Sequence, residues 1–318
     1  MLSKLIVLLI LIMTGLYFLN QFNSAQITPE TKQQTLKPVT IPPSLLDYPN
    51  LRWNHMPLTV FINPAASKES YISDVKLAMA LWKDATNGMI SFELTKSKDA
   101  DITIEWVGEL KTNSLDAAGD TNINFYNQTA FKIINNATIE LLDKIDSKEL
   151  NDFDMTNLAI HEIGHALGLS HNDAKDSVMN PVLKIPSKEI KPITKQEIQL
   201  LLDTYKIQPK PDLYISTNST VTKIVDTRLF KENYYINTVI AVENNGLITS
   251  TNTTMLIKAG GMIVREDNLP EIPVGAIFTR TYVNQPVSGN FSNVEIILDS
   301  DNLVDELNEA NNLLILKA

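Results

Sequence analysis

The apolar positions of this chain change their period several times, and each change predicts a different element. Leu58-Thr59-Val60-Phe61-Ile62 alternates as a strand does and stops at Asn63-Pro64. From Ser70 to Asn87 the period turns helical, with Tyr71, Val75, Ala78, Met79 and Trp82 on one face and Asn87-Gly88 closing it. Alternation returns in residues 90–95 and 101–107, where Ile102, Ile104 and Trp106 share a face. A second helical stretch places Leu158, Ala159, Ile163, Ala166 and Leu167 on its buried side, with Asp152 or Asp154 as the cap. Pro181, Pro186 and Pro192 then forbid helix until Thr194-Lys195-Gln196-Glu197, a capping-box pattern, opens one that runs to Tyr205.

Past Pro209-Lys210-Pro211 the helical period is gone. Tyr234, Ile236, Thr238, Ile240 and Val242 face one way, and Met255 and Ile257, then Val294, Ile296 and Leu298, repeat the alternation. Turn signals fall at Asn245-Gly246, Gly260-Gly261, Pro273-Val274-Gly275 and Ser288-Gly289-Asn290. About seven short strands in this stretch predict an all-β sandwich of immunoglobulin-like type.

The N-terminal pattern differs from both. Lys4 is followed by an apolar run from Leu5 to Leu19, then by polar Asn20 to Ser24 and Ala25. Residues 1–25 are therefore read as an export segment, either a cleaved signal peptide or an uncleaved membrane anchor through residues 2–22. Residues 26–50 are proline-rich and aperiodic, which reads as an extended linker too short to fold as a propeptide domain. The boundaries that follow are 51–208 for a first domain and 209–318 for the sandwich.

Composition narrows the chemistry. The formal net charge is −10 and no Lys/Arg run occurs, so a nucleic-acid partner has no electrostatic footprint. Cysteine is absent, which excludes disulfides, zinc–thiolate sites and a thiol nucleophile. Of only four histidines, three fall within residues 161–171.

That stretch reads H-E-x-x-H-x-x-G-x-x-H, from His161 to His171. On a helix, His161 and His165 are one turn apart on one face and can aim at a common point. Glu162 sits beside that point without being a ligand. Gly168 permits the positive φ that ends the helix and swings His171 back as a third nitrogen. Three protein ligands with a fourth position left for water describe a catalytic zinc. A downstream Glu189 as alternative third ligand lies in a proline-flanked stretch that makes a poor helix, and His55 reads as ordinary surface or packing.

With Ser177-Val178-Met179-Asn180-Pro181 after it, the motif resembles the metzincin metalloproteases, and Gly164, Ser170 and the Met-x-Pro turn are most similar to the matrixin branch. The resemblance implies an α+β zincin-like domain, a twisted mixed sheet with an active-site helix, in which residues 121–127 and 137–142 supply the last two strands and the Asn-rich residues between them form turns. It implies His161, His165 and His171 as zinc ligands, Glu162 as general base and Met179 as the turn residue. It also implies a protein or peptide substrate bound in extended form along an edge strand, for which residues 121–127 are the candidate. Pro181-Val182-Leu183 departs from the common Pro-x-Tyr pocket wall, which leaves side-chain preference open. The cysteine-dependent latency of many matrixins and their second histidine-bound zinc have no residues here.

Pro211-Asp212-Leu213, residues 242–246 and the Asp/Asn-rich residues 299–312 resemble CARDB, a family of extracellular adhesion-like modules, so the second domain is a candidate for binding cell-surface components. The five carboxylates in 299–309 read first as a turn whose Asp and Asn side chains bond local backbone, and second as an oxygen-rich loop of the kind calcium takes. The reading of the whole is an exported zinc endopeptidase acting outside the cell. Its rival is an extracellular binding protein with a vestigial protease domain.

Overall fold

In the computed structural model the described residues are 31–34, 39–41, 51–110, 118–126, 130–145, 147–218, 220–226, 233–288 and 291–317. The expected export segment at 1–25 lies outside them. No helix among the described residues is long and apolar enough to cross a membrane.

The first half folds around one mixed sheet. After β1 (Thr31–Gln34), which belongs to another sheet, its strands are β2 (Val39–Ile41), β3 and β4 (Leu51–Arg52, Leu58–Ile62), β5 and β6 (Phe92–Thr95, Ile102–Val107), β7 (Gly119–Tyr126) and β8 (Lys132–Leu142). The order is β2-β7-β8-β6-β4-β5, with β3 against the start of β8. Pairings β4–β5, β4–β6 and β6–β8 are parallel, whereas β7 runs antiparallel to β8. Parallel neighbours need crossovers, and helix α1 (Glu69–Ala85) supplies the one between β4 and β5. Its stripe of Tyr71, Val75, Ala78, Met79 and Trp82 is buried, as its period predicts.

Helix α2 (Asp152–Ala166) carries the histidine motif and is buried along nearly its whole length. Its N-cap is Asn151 rather than either predicted aspartate. Asp154 instead closes a capping box, its side chain accepting the Asn151 amide at 3.2 Å while Asn151 accepts the Asp154 amide at 2.9 Å. The C-terminus follows the expectation for Gly168. That residue has φ +99°, and its amide and that of Leu169 bond the His165 and Gly164 carbonyls at 2.8 and 3.0 Å, which closes a Schellman motif. The last carbonyls of a helix lack internal partners. Trp53 Nε1 donates to Ala166 O at 2.8 Å and the Tyr205 hydroxyl to Leu167 O at 3.1 Å, so two distant aromatics satisfy them. Trp82 Nε1 donates to Ile160 O at 3.0 Å and pins α1 to α2.

Two expectations need correcting. Asn135-Asn136 is not a turn; both residues lie inside β8, where a register shift between Asn124 and Phe125 on β7 absorbs the irregularity. The stretch 26–50 is not free of structure, because residues 31–34 and 39–41 are strands. Consequently β7 is not the outermost strand of its sheet; β2 covers part of it.

After β9 (Lys144–Ile145), β10 (Lys148–Glu149) and helix α3 (Lys195–Tyr205), the described residues of the second half form only β-strands and one 3-10 turn as regular elements. One sheet holds β11 (Leu213–Ile215), β12 (Val221–Asp226), β13 (Asn233–Asn244) and β16 (Ile277–Ser288), with β1 on the β16 edge. The other is β15-β14-β17-β18, from Met262–Leu269, Thr253–Ala259, Asn293–Leu298 and Leu313–Lys317. Every pairing is antiparallel. Ile236, Ile240, Val242, Met255, Ile257, Val294, Ile296 and Leu298 form the core between the sheets, as the alternation predicts. Gly260 and Gly261, at φ +56° and +81°, make the two-residue hairpin between β14 and β15.

Candidate active site

The three histidines of the motif converge. His161 and His165 on α2 are 5% and 1% exposed, and His171, carried back by the turn at Gly168, is exposed. Their ligand atoms all lie within 4.8 Å of one another. His161 Nδ1 lies 2.7 Å from Val178 O and His165 Nδ1 2.8 Å from Leu169 O. A carbonyl only accepts, so each imidazole must carry its proton on Nδ1, which leaves both Nε2 atoms as bare lone pairs. Those two Nε2 atoms are 3.2 Å apart. Two lone pairs at that distance repel unless a cation lies between them, and two nitrogens on one tetrahedral zinc would be separated by roughly 3.3 Å. The donor set therefore fits zinc.

Burial supports the same chemistry. Desolvation pushes the His161 pKa down to about 4 and His165 well below the ordinary imidazole value, so both rings are neutral and ready to coordinate. His171 is the exposed member of the cluster, so the three histidines are not all enclosed in the core.

Glu162, 4% exposed, is not among the converging ligands. Its Oε2 accepts the Thr121 hydroxyl at 2.7 Å from β7. A Cβ on Gly119, two residues earlier on the same strand, would lie 2.6 Å from Oε1. Burial raises the Glu162 pKa to about 8; the Thr121 hydrogen bond opposes that rise and the Asp120 charge adds to it. Neither Thr121 nor Gly119 carries a sequence signal, since each acts on Glu162 only through the packing of β7 on α2.

Met179 lies directly beneath the motif helix. A Cβ on Gly164 would sit 2.4 Å from its Sδ, so the glycine is what allows the sulfur to approach the backbone between the two helical histidines. The turn is held from below by Glu197 at the start of α3. Its Oε1 accepts the Ser177 hydroxyl at 2.5 Å and the Met179 amide at 3.1 Å, while Oε2 accepts the Thr194 amide at 2.6 Å. The capping-box pattern locates the helix start; only the structure shows the same carboxylate anchoring the turn.

A polar row on α2 fixes the segment after the turn. Asn151 Nδ2 donates to Ser187 O at 3.1 Å, Asp154 Oδ1 accepts the Ser187 amide at 2.5 Å, and Asn157 bonds both Glu189 O and Lys191 N. Glu189 thus meets α2 through its backbone carbonyl, and it is absent from the ligand cluster. His55 is likewise outside that cluster; its Nδ1 is 3.0 Å from Asn54 and its Nε2 3.2 Å from Asp101.

In the sandwich, Asp299, Glu306 and Glu309 of the five predicted carboxylates converge. Most of their oxygens already serve the protein. Asp299 accepts the Thr253 hydroxyl and the Leu303 and Val304 amides, and Glu306 accepts the Leu213 amide at 2.5 Å and Asn312 Nδ2 at 3.1 Å.

Comparison with known proteins places these features. The family model described as Matrixin matches residues 52–206, and that described as CARDB matches 210–315. Interstitial collagenase of Sus scrofa is 27% identical over 183 residues, 54% of this chain and 38% of that protein. Metalloendoproteinase 4-MMP of Arabidopsis thaliana is 51% identical over 37 residues, 12% of this chain and 11% of its own length. The chain thus spans well under half of the curated relatives it matches. Among solved structures, the CARDB domain of a Pyrococcus furiosus protein in complex with di-metal ions aligns with 35% of this chain and 94% of its own, at 16% identity and a TM-score of 0.27.

Proposed function

We propose that this chain, a matrixin domain followed by a CARDB domain, is an exported zinc-dependent endopeptidase that uses Glu162 as general base. The observation that carries the proposal is the pair of buried imidazoles whose Nε2 lone pairs face each other at 3.2 Å while both Nδ1 protons are committed to backbone carbonyls. Zinc held by His161, His165 and His171 would lower the pKa of a coordinated water and polarise the scissile carbonyl. Glu162, next to His161 in the motif, would take the proton from that water and pass it to the departing amine. The Thr121 hydroxyl orients the Glu162 carboxylate, and Met179 and Glu197 hold the floor under the histidines. The substrate is a protein or peptide bound in extended form beside β7, with main-chain pairing supplying affinity.

The domain division at 209, an immunoglobulin-like topology for the sandwich and its binding of extracellular components belong to the same proposal. Calcium at the 299–309 loop is its weaker part, because the acidic oxygens there already accept protein hydrogen bonds. The rival reading, a binding protein with a vestigial catalytic domain, sits poorly with an intact Glu162 and its Thr121 partner. Cleavage of an unstructured protein by the zinc-loaded chain, stopped by a chelator and restored by zinc, tests the proposal. Zinc-loaded protein that cuts nothing would favour the rival.

A further inference from the structure

The edge of β7 away from β8 is where an extended peptide would have to add, because β8 takes the other edge from Gly119 to Tyr126. In the structure that edge is already taken by the chain itself. Val39, Thr40 and Ile41 pair antiparallel with Phe125, Asn124 and Ile123. Ile123 is two residues along β7 from Thr121, whose hydroxyl holds the Glu162 carboxylate, so the occupied rungs adjoin the reacting site. We propose that residues 39–41 are a built-in competitor that covers the peptide-binding edge of this protease and restrains its activity. The inference rests on the endopeptidase reading above and adds how that site is regulated.

Three observations give the strand this role. Its other end is anchored: Thr31–Gln34 pairs antiparallel with Ile277–Arg280 on β16 of the sandwich, and only residues 35–38 lie between the two strands. A short tether to a fixed point gives the competitor a high effective concentration at β7, so three pairs can rival a substrate that binds from solution. The sandwich thereby becomes part of the restraint. Next, Pro42 and Pro43 follow Ile41 in sequence. Neither has an N–H to add to a ladder, so nothing in the sequence favours extending the pairing toward Thr121. Finally, residues 31–41 contain no His, Cys, Asp or Glu. They offer the metal none of its usual side-chain ligands, in a chain that also lacks cysteine. The block would therefore be on peptide access alone, and it should raise KM while leaving the chemical step intact.

The test uses the full chain with Thr40→Pro and Ile41→Pro together. Adjacent N–H groups of a strand point to opposite sides, so one of the two removed must face β7. Zinc content equal to that of the wild type shows that the site still folds. If the strand occupies most molecules, its release should lower KM for a short peptide by up to about tenfold with little change in kcat. Of the amides of Ile123, Asn124 and Phe125, those that face β2 rather than β8 should exchange with solvent faster in the variant. Unchanged KM together with unchanged exchange at those amides would overturn the proposal. If neither protein cleaves any peptide although zinc is bound, the endopeptidase reading fails. Exchange still decides separately whether residues 39–41 cover the edge: protection lost in the variant upholds it, and equal exchange sinks it.

Discussion

The Thr121 hydroxyl donates to Glu162 Oε2 at 2.7 Å and joins a strand to the helix that carries His161 and His165. A hydrogen bond to the ionised carboxylate favours that form and opposes the rise in pKa that burial imposes. Thr121→Val keeps the shape and removes the donor. Glu162 should then hold its proton to higher pH, and the acidic limb of the kcat/KM profile should move upward with zinc content unchanged. A limb that stays in place would show that Thr121 is only packing.

Glu162→Gln is expected to retain stoichiometric zinc, since Glu162 is not among the converging ligand atoms. An amide cannot take a proton from water, so kcat should fall by about 10²–10⁴-fold. Substrate affinity should survive, and the variant should capture uncleaved substrate. Unchanged hydrolysis would remove Glu162 from the mechanism.

His165 is the most buried of the three histidines, at 1% exposure. His165→Ala leaves two ligands of three and should abolish tight zinc binding. Metal analysis after dialysis checks this, and one zinc per chain remaining would contradict the assigned site.

Asp74 lies on α1 toward α2 and is 8% exposed; one of its carboxylate oxygens has no partner. Burial, then the charge of Asp152, raises its pKa to about 6. A carboxyl whose folded value exceeds its unfolded one contributes stability that is fully present below the unfolded value and lost as pH rises through the folded one. The window here runs from the ordinary carboxylate value of 3.8 to about 6. Asp74→Asn should therefore raise stability by about 1–3 kcal/mol at pH 7.5 and by almost nothing below pH 4. Denaturant melts at both pH values measure the difference, and equal gains would discount the buried charge.

The three converging histidines were legible in the chain because their geometry is local. A spacing of four on a helix and a glycine at φ +99° place three nitrogens with no reference to the rest of the fold. The sandwich core was legible for the same reason, since Ile236, Ile240 and Val242 face inward by a period of two. What packing decided is how that site is supported and reached. Asn151 displaced the predicted aspartates as cap because Asp154 was needed both in the capping box and against Ser187. Thr121, Gly119 and Glu197 act on residues 18 to 43 positions away in sequence, and no periodicity reports such partners. The strands at 31–34 and 39–41 were invisible in a proline-rich stretch because a strand that pairs with a distant edge takes its hydrogen bonds from the partner's backbone. Backbone groups are the same in every residue, so a sequence records which side chains face a core but not which edge a short segment will find.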